Sequence, residues 1–545
     1  MVSVAWQGVE RISTIAYMDT RAWLDDLQQS LNPDELITDP AVCEVFSSDV
    51  YSRGICVAAV LRPRDKHRLA HMVRAAARAG YAVVTRGGGL TYTGGYHAAH
   101  ERVVAIDTSA LDRIVKISPE DLYITVEAGV TWKQIYEALT PLGLRLPFFG
   151  TFSGARATIG GGLANGALFL GTARHGTAAD CVLGLEVVLG DGRMLTTGQA
   201  GFRNVEKPFY RTCGPDLTGL FLHDSGTLGI KVQATFRLMQ MPEVTGHASF
   251  VFDGMLPAAA ALSEVARTGA AEDAYVFDPA ATHGSLRSQG LAKDVRTLFK
   301  VMRNERGLWR AVSEGARLVL AGRDFLPTDA HSLHVSCAGR DRASVDADLE
   351  ACRKACLRLG GREIPSSIPR AVRADLFPAP DGVVGDHGHR WAALNAKVAH
   401  SDAERIIRAA REVIAPYRGR MQQQGVWMSH LLIATGTHAF SFEPVFRWRD
   451  EWLPLHESVL SPEAKRRLPT PMAQPAAAAL VAEMRQRLVE LFAEFGAASN
   501  QLGKTYPYFE SLRPETAQLV RQLKQVVDPQ GVLNPGGLGI PSQNG

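Results

Sequence analysis

Apolar residues recur at helical and at strand spacing along the first 143 positions. The run 66–80 repeats apolar residues at helical spacing and stops at a glycine, and 132–143 does the same up to Gly143. Short apolar runs around these helices have the pattern of strands, at 56–61, 82–85, 102–109 and 122–131. Because these strands vary in pattern, the order predicts an α+β domain and not a regular Rossmann repeat.

A different pattern begins near Gly246. A strand, a helix and a strand follow one another there, and the alternation of strand and helix continues towards residue 436. The predicted strands are 248–252, 273–277, 332–339, 391–398 and 428–436, and the predicted helices are 258–269, 343–361 and 401–414. Units of this kind predict a second, antiparallel sheet with helices on one face, in a ferredoxin-like arrangement. A helix over 515–527 and the turn DPQGVLNPGGLG follow near the end.

Composition narrows the class of protein. The chain has 545 residues, too many for one ordinary core, and 46% of them are apolar and 21% charged. The net charge of +3 is small and no nucleic-acid-binding motif appears, so we expect no nucleic-acid partner. No apolar run approaches the roughly 18 residues of a membrane-spanning helix. The first residues also lack the pattern of a signal peptide, and we expect a cytoplasmic protein.

The seven cysteines are scattered and none forms a CxxC pair. Cys352 and Cys356 lie four apart in a helical run. Two ligands are too few for a structural zinc site, so buried helix cysteines are the preferred interpretation. We expect no metal site.

A glycine-rich loop directly follows the strand predicted at 82–85. It contains Gly87, Gly88 and Gly89, and then Gly94 and Gly95. Glycines let backbone N–H groups approach a diphosphate closely, and they adopt positive φ without strain. The spacing is not GxGxxG at the start of a helix, which disfavours a dinucleotide-binding Rossmann site. Taken alone, the loop is equally compatible with a tight turn that binds nothing.

Three further segments favour a diphosphate-binding loop over a tight turn that binds nothing. A second glycine-dense loop, TIGGGLANG, precedes RHGTAADCVLGLEVVLGDG, the segment DLTGLFLHDSGTLGI leads into a strand, and DPQGVLNPGGLGI closes the chain. Together with RGGGLTYTGG, these segments resemble, in order, the FAD segments of the FAD-linked oxidase superfamily with a PCMH-type FAD-binding domain. Vanillyl-alcohol oxidase and D-lactate dehydrogenase belong to that superfamily.

The resemblance implies a fold, a cofactor and a division of the chain. The fold is α+β, with a two-subdomain PCMH-type FAD-binding domain at 1–240, an antiparallel ferredoxin-like cap or substrate domain at 241–480, and a C-terminal segment, 481–545, that returns to the FAD domain. The two glycine loops would hold the diphosphate of FAD, and Gly229 and Ile230 would lie near its adenine end. The residues assigned to FAD are Arg86, Gly87, Gly88, Gly89, Leu90, Thr91, Tyr92, Gly94, Gly95, Thr158, Ile159, Gly160, Gly161, Gly162, Asn165, Gly166, His175, Gly176, Gly229, Ile230 and Asn534.

The sequence departs from the family pattern in two places. Leu90 stands where some relatives carry a histidine that attaches covalently to the flavin, so FAD is expected to bind non-covalently. Ser499, Asn500 and Gln501 stand where D-lactate-dehydrogenase relatives carry histidines near the flavin. An HxHGDGN-like metal cluster is also missing, which again argues against a metal.

Candidate catalytic residues come from segments that the family folds over the flavin. Taking hydride from an alcohol carbon requires a group that accepts the hydroxyl proton. His438, Lys504, Tyr506 and Tyr508 are the candidates: Lys504 would balance negative charge, and the tyrosines would bind a carboxylate or phenolate oxygen. A hydrogen-bonded core histidine and a packed aromatic turn are the structural alternatives. His430 and the stretch 443–452, interpreted as a pocket wall or an inter-domain loop, come next.

The leading functional hypothesis is an FAD-dependent dehydrogenase or oxidase that removes hydride from an alcohol or 2-hydroxy-acid carbon to flavin N5. The alternatives are a phenolic (benzylic) alcohol oxidase of the vanillyl-alcohol-oxidase type, and a flavin-binding module without catalysis. The expected partners are a small-molecule substrate and an electron acceptor, which is O2, a quinone or a cytochrome. We also expect a homo-oligomer.

The segment 287–323 is basic, with nine Lys or Arg residues against three Asp or Glu residues. Its apolar positions, together with this charge, are compatible with peripheral contact to a membrane surface or a redox partner. The preferred interpretation is a solvated pair of helices that covers the cap.

The replacement of the attachment histidine by Leu90 leads to a first prediction. A hydrocarbon side chain cannot add to the flavin, so acid precipitation of the purified protein should leave a yellow supernatant and a colourless pellet. Flavin that stays in the pellet would contradict this and would indicate attachment through a histidine of the cap, such as His387 or His389.

Overall fold

The computed structural model describes residues 31–280, except Pro33, and residues 330–541. Its first part is built on small sheets joined by short helices. The strands are β1 (Leu36–Ile37), β2 (Val60–Leu61), β3 (Ala82–Arg86), β4 (Val103–Asp107), β5 (Ile114–Ser118), β6 (Tyr123–Glu127), β7 (Leu144–Arg145), β8 (Val182–Val188), β9 (Met194–Thr196), β10 (Ile230–Arg237) and β11 (Met239–Gln240). The helices are α1 (Pro40–Phe46), α2 (Lys66–Arg78), α3 (Trp132–Leu139), α4 (Ile159–Asn165), α5 (Thr172–His175) and α6 (Leu217–Leu220).

These strands form two main sheets. The first has the order β1-β2-β4-β3, and its last three strands are parallel. The second is antiparallel, with the order β5-β6-β10-β8-β9. Each sheet packs its own apolar cluster, which includes the buried face of α2 for the first sheet and Trp132 for the second. This arrangement confirms the α+β fold class and the absence of a Rossmann repeat in this part.

The second part of the chain carries one large antiparallel sheet, called the cap sheet below. Its strands are β12 (Val244–Phe252), β13 (Asp273–Phe277), β14 (His331–Gly339), β15 (Arg362–Ile364), β16 (Arg390–Ala393), β17 (Ala396–Ala399), β18 (Trp427–Thr435) and β19 (Ala439–Trp448). The order is β15-β12-β14-β13-β18-β19-β16, and β17 also pairs with β19. Because β14 lies antiparallel between β12 and β13, those two strands are parallel to each other, as in a ferredoxin-like unit.

Helices cover one face of the cap sheet, as the sequence predicts. They bury a cluster that includes Phe250, Phe440, Phe442 and Trp448. The helices after β11 are α7 (Met255–Thr268), α8 (Arg342–Arg358), α9 (Ser367–Ala374), α10 (Ala403–Ile414), α11 (Arg418–Gln424), α12 (Pro454–Val459), α13 (Pro462–Arg467), α14 (Pro475–Glu494) and α15 (Pro514–Val527). Helix α14 runs across the boundary expected after residue 480, and it packs into the cap cluster on both sides of that boundary. The division into domains stays a prediction.

Local sequence signals explain where several elements begin and end. Asp65 caps α2 by accepting hydrogen bonds from the N–H groups of His67 and Arg68, at 2.8 and 2.9 Å. Thr131 and Gln134 form a capping box at the start of α3. Gly143, at φ +67°, ends the short 3-10 turn that follows α3. The helices predicted at 66–80 and 132–143 are therefore confirmed as α2 and α3.

Three expectations about local structure are wrong. The strand expected over 56–61 is reduced to Val60–Leu61. The glycine-dense loop at Gly160–Gly166 is largely a helix, α4, which Thr158 caps and Gly166 ends. The strand expected over 391–398 is interrupted between β16 and β17, because the backbone N–H of Asn395 donates to the hydroxyl of Tyr506 (2.7 Å).

The far face of the cap sheet packs against the first part of the chain. An aromatic cluster fills this interface, with Phe149 and Phe169 on one side and Tyr275, Phe277 and Ile433 on the other. No helix of residues 31–280 or 330–541 is both long and apolar enough to span a bilayer. The basic segment 287–323 lies outside the described residues.

A buried ionic cluster ties the two parts together. Glu272 contacts the guanidinium of Arg145, and its Oε2 accepts a hydrogen bond from Arg373 at 2.9 Å. Asp273 accepts from Arg373 Nε at 2.6 Å and from the backbone N–H of Gly171 at 2.6 Å. Burial opposes ionisation of Glu272, but the two arginines outweigh it and hold the pKa of that carboxyl well below its usual value. The position of the cap sheet therefore depends on these buried ion pairs, because a carboxylate that lost its arginine would be left buried and unpaired.

This cluster leads to a stability prediction. Arg373→Met removes the cation shared by two buried carboxylates, which should lower the free energy of unfolding by roughly 3–5 kcal/mol. Urea unfolding followed by circular dichroism measures the change. Arg342→Met on the exposed side of α8, where the arginine pairs only with Asp346, is the matched control and should cost less than about 0.5 kcal/mol. Equal effects of the two variants would contradict the assignment.

Candidate active site

A cavity lies between the first glycine loop, the start of α4 and the start of β10. Most residues expected to contact FAD line it: Arg86, Gly87, Gly88, Gly89, Leu90, Thr91, Gly95, Thr158, Gly160, Gly161, Gly162, Asn165, Gly229 and Ile230. The sequence-based set missed other lining residues, among them Ser225, Lys231 and Gln501. Two of these, Ser225 and Lys231, flank the Gly229–Ile230 pair, so proximity in sequence was a signal for them.

Close packing explains why the first glycine loop carries no side chains. A Cβ on Gly87 would lie 2.0 Å from Thr158 Oγ1, and a Cβ on Gly88 would lie 2.4 Å from the carbonyl oxygen of Arg156. Of the residues expected to adopt positive φ here, Gly89 (+75°) and Gly94 (+63°) do so, whereas Gly88 does not. The backbone of this loop is thus pressed against the segment that leads into α4.

Gly161 differs from these glycines. A Cβ there would meet only Thr158 Oγ1, at 3.4 Å, and its φ is not positive. The space beside Gly161 therefore belongs to the cavity and not to a neighbouring side chain. A Cβ at this position would therefore point into the cavity at an ordinary contact distance from Thr158.

A buried cation faces the same space. Arg86 is 3% exposed, and its Nε and Nη2 atoms find no hydrogen-bond partner among the described residues. Its guanidinium lies 4.3 Å from the ring centroid of Phe46. Buried guanidinium donors without partners are costly unless an acceptor is supplied, and an anion such as a diphosphate supplies several. Arg86 and the bare glycine backbone therefore fit a phosphate-bearing cofactor.

Other residues expected to contact FAD lie behind the cavity wall. Asn534 donates from Nδ2 to the carbonyl oxygens of Gly95 and Ser225, at 2.8 and 2.7 Å, and so joins two lining loops. Gly166 is packed against the backbone oxygen of Asn500, 2.4 Å from a Cβ built on the glycine. Gly94, Ile159 and Tyr92 also do not line the cavity itself.

His175 and Gly176 lie away from the cavity. His175 Nε2 is 3.2 Å from Glu272 Oε1, so the imidazole belongs to the ionic cluster. Gly176 has a φ of +78°, and a Cβ there would meet Asp180, whose carboxylate caps the following turn at Thr177. Both residues therefore belong to the segment that contacts the cap, and not to the cavity.

The four candidate catalytic residues are not brought together. His438 is exposed in the turn between β18 and β19. Lys504 donates from Nζ to the carbonyl oxygens of His97 (2.6 Å) and Pro535 (2.7 Å), and burial lowers its pKa to about 8. Tyr508 packs on the apolar cluster around Phe509. These contacts give Lys504 and Tyr508 a structural explanation.

Tyr506 alone joins a polar cluster near the cavity. Its hydroxyl accepts the hydrogen bond from the backbone of Asn395. The Asn395 side chain donates from Nδ2 to Ser441 Oγ (2.6 Å) and approaches Glu443 Oε2 at 3.5 Å. Tyr92 lies close to both Glu443 and Tyr506, and it contacts the cavity-lining Gln501. The cluster thus borders the glycine-lined cavity.

Glu443 is the titratable group of this cluster. Its neighbours on β19, Phe442 and Phe440, pack against the helices, so alternation turns Glu443 to the opposite face, towards the first part of the chain. Burial raises the pKa of Glu443 to about 7, opposed only by the hydrogen bond from Asn395. A carboxyl with a pKa near neutrality can exchange a proton under ordinary conditions.

The sequence contained a signal for Glu443. The stretch from Glu443 was interpreted as a pocket wall or a loop, whereas β19 extends to Trp448. Phe440, Phe442, Phe446 and Trp448 recur at every second or fourth position, which is strand spacing. Within the described residues no group of three or more His, Cys, Asp or Glu side chains could hold a metal ion.

Comparison with known proteins agrees with this geometry. The model of the family described as FAD binding domain matches residues 57–198, and that of FAD linked oxidases, C-terminal domain, matches residues 503–538. A probable mitochondrial D-lactate dehydrogenase of Danio rerio is 31% identical over 210 residues, which are 38% of this chain and 41% of the relative. A D-2-hydroxyglutarate dehydrogenase of Xanthomonas citri pv. viticola is 31% identical over 217 residues, 40% of this chain and 44% of the relative.

The matched region therefore spans less than half the length of these relatives. A solved structure of p-cresol methylhydroxylase with substrate bound matches almost the whole fold, with a TM-score of 0.72 at 19% identity, covering 96% of this chain and 97% of the other. The matched segments contain the cavity-lining glycine loops and the C-terminal turn, and the family model supports FAD as the cofactor. The chain is therefore similar to FAD-linked oxidases over residues 57–198 and 503–538.

Proposed function

We propose that this protein is an FAD-dependent oxidoreductase that removes hydride from a carbon bearing a hydroxyl group, such as that of a 2-hydroxy acid. The observation that carries the proposal is Glu443, a half-buried carboxyl beside Tyr92 and Tyr506 at the border of the glycine-lined cavity. FAD, when bound, supplies the hydride acceptor at its N5 atom. The names of the two relatives, both dehydrogenases of hydroxy acids, support this substrate class.

The same proposal assigns residues to the cofactor. The glycines of the first loop and Gly160–Gly162 would face the diphosphate, and Arg86 would donate to its oxygens. Gly229 and Ile230 would lie near the adenine end. Asn534 and Lys504 would act indirectly, by holding the loops that line the cavity.

Glu443 is the proposed proton acceptor. An alcohol that loses hydride must also lose its hydroxyl proton, and a carboxylate with a pKa of about 7 can accept it at neutral pH. Asn395 holds the carboxylate by its side-chain amide and fixes the hydroxyl of Tyr506 by its backbone N–H. Substrate oxygen would thus meet a proton acceptor and a tyrosine hydroxyl in fixed positions.

A second candidate is oxidation at the benzylic carbon of a phenol. The pair Tyr92 and Tyr506 favours it, because two tyrosine hydroxyls near one carboxyl can hold a phenolate oxygen. The structurally similar p-cresol methylhydroxylase was solved with its substrate bound. The electron acceptor (O2, a quinone or a cytochrome), the homo-oligomer and peripheral membrane contact stay predictions.

Anaerobic reduction of the flavin tests the function. Purified protein is mixed without oxygen with a panel of 2-hydroxy acids, simple alcohols and para-alkylphenols, and bleaching of the visible flavin band is recorded. Bleaching by a 2-hydroxy acid or alcohol supports the first candidate, and bleaching by alkylphenols alone supports the second. If no compound bleaches the flavin while dithionite does, the protein is a flavin-binding module and the proposal fails.

The pKa of Glu443 sets the expected pH dependence. Proton acceptance requires the carboxylate, so the rate of flavin reduction should fall as the pH is lowered through about 7. Glu443→Gln keeps the shape but cannot accept a proton, and it should lower the rate by roughly 10²-fold or more and remove this pH step. Glu490→Gln on the exposed side of α14 is the control. An unchanged rate and pH profile in Glu443→Gln would exclude this role.

Two glycine variants test where FAD binds. Gly161→Val places a side chain at the cavity, where its Cβ would lie at an ordinary contact distance of 3.4 Å from Thr158 Oγ1, so the protein should fold and lose FAD. Gly88→Val meets the Arg156 carbonyl and should lower stability as well as FAD content. FAD content per chain and thermal unfolding of the apoprotein separate the two effects. Full FAD occupancy in Gly161→Val would mean that the diphosphate lies elsewhere.

A further inference from the structure

A second cleft lies on the helix-covered face of the cap sheet, away from the glycine-lined cavity. It has a volume of about 540 Å³ and is bounded by α10, α11, the start of α7 and the strands β18 and β19. The FAD family models do not cover the cap strands and helices that form it, and Glu443 of the proposed reaction points to the opposite face of the sheet. Its size corresponds to a site for a small molecule.

The floor of the cleft is aromatic and apolar. The imidazole of His430 stacks on the ring of Phe442, with centroids 5.7 Å apart and planes inclined by 16°. Asp278 Oδ2 lies 2.8 Å from His430 Nδ1 and also accepts the backbone N–H of His430, at 2.7 Å, so the ring is held in place. Ile407 and Leu488 continue the floor. A hydrocarbon or aryl group would gain buried contact there.

The rim of the cleft is cationic. Arg411 and Arg418 line it from α10 and α11, and both side chains reach solvent. Neither forms an ion pair with any residue of 31–280 or 330–541, although most arginines on these helices do, such as Arg408 with Glu404. Asp278, which contacts the floor residue His430, is engaged by that imidazole. Two guanidinium groups that form no ion pair within the described ranges, placed above an apolar floor, complement an anion with an apolar body.

We propose that this cleft binds an amphipathic carboxylate, with its hydrocarbon or aryl part over Phe442 and His430 and its carboxylate at Arg411 and Arg418. The cleft shares no lining residue with the glycine-lined cavity, but one of its strands also carries Glu443. Phe442 and Glu443 are consecutive residues of β19 whose side chains point to opposite faces of one sheet. A ligand in the cleft therefore lies directly behind the proposed proton acceptor.

Calorimetric titration of the FAD-loaded protein with dodecanoate tests the site, with dodecanol as the neutral analogue of equal chain length. We expect saturable binding of one dodecanoate per chain and much weaker binding of dodecanol. The double variant Arg411→Gln/Arg418→Gln should weaken dodecanoate binding about tenfold or more, because it removes both charges at exposed positions that cannot unfold the protein. Arg408→Gln, on the outer face of the same helix, is the matched control and should bind normally.

Ala410→Trp fills the cleft and should abolish binding; its FAD spectrum verifies that it folds. The proposal is overturned if dodecanoate does not saturate, if dodecanol binds equally well, or if the double variant binds as tightly as the control. It is also overturned if dodecanoate fails to bind and the double variant changes the sedimentation behaviour, since the cleft would then be a contact between copies of the chain. All these results are independent of whether any substrate reduces the flavin.

Discussion

Glu272 directly precedes strand β13 and Asp273 is its first residue, and the two parts of the protein meet around their carboxylates. Arg145 reaches them from the first part, Arg373 reaches them from the cap, and the backbone of Gly171 completes the set. Burying two carboxylates is costly, and the cost is recovered only when every partner is in place. The cluster therefore allows one docking position of the cap sheet and disfavours others. This docking position sets the register of the neighbouring strands, and the register sets the position of Glu443.

The pairing of the cap strands carries this constraint to the candidate site. Strand β13 pairs with β18, which pairs with β19 along its full length, with Leu431 opposite Glu443. Because side chains alternate across a strand, fixing β13 against the first part also fixes which residues of β19 face the cavity. The carboxyl of Glu443 thus owes its place to charges two strands away, at the start of β13, and its pKa to the burial that this docking produces.

The sequence predicts those parts of the structure that depend on residues close to one another in the chain. Amphipathic spacing and caps such as Asp65 and Thr131 identify helices, and the glycine segments identify a cavity because close backbone approach excludes side chains. The roles of His175, Lys504 and Tyr508 were not predictable in the same way. Each is polar and lies in a segment of the right family motif. The partners of His175 and Lys504 are distant in sequence, Glu272 and the His97 carbonyl, whereas Tyr508 packs on the cluster around its neighbour Phe509. A sequence shows that a side chain can ionise, but it does not show which residue is its hydrogen-bond or ion-pair partner.

The interruption between β16 and β17 shows how the fold and the proposed chemistry depend on one another. A continuous strand would use the N–H of Asn395 within the sheet. Here that N–H is donated to Tyr506, which lies within the segment 503–538 that matches the C-terminal domain of FAD linked oxidases. The side chain of Asn395 reaches Ser441 and Glu443 on the neighbouring strand β19. One residue therefore connects three segments that are distant in sequence, and it does so at the carboxyl whose ionisation matters. An orienting hydrogen bond of this kind keeps a buried carboxyl in one position while burial keeps its pKa near neutrality, and a proton acceptor needs both properties.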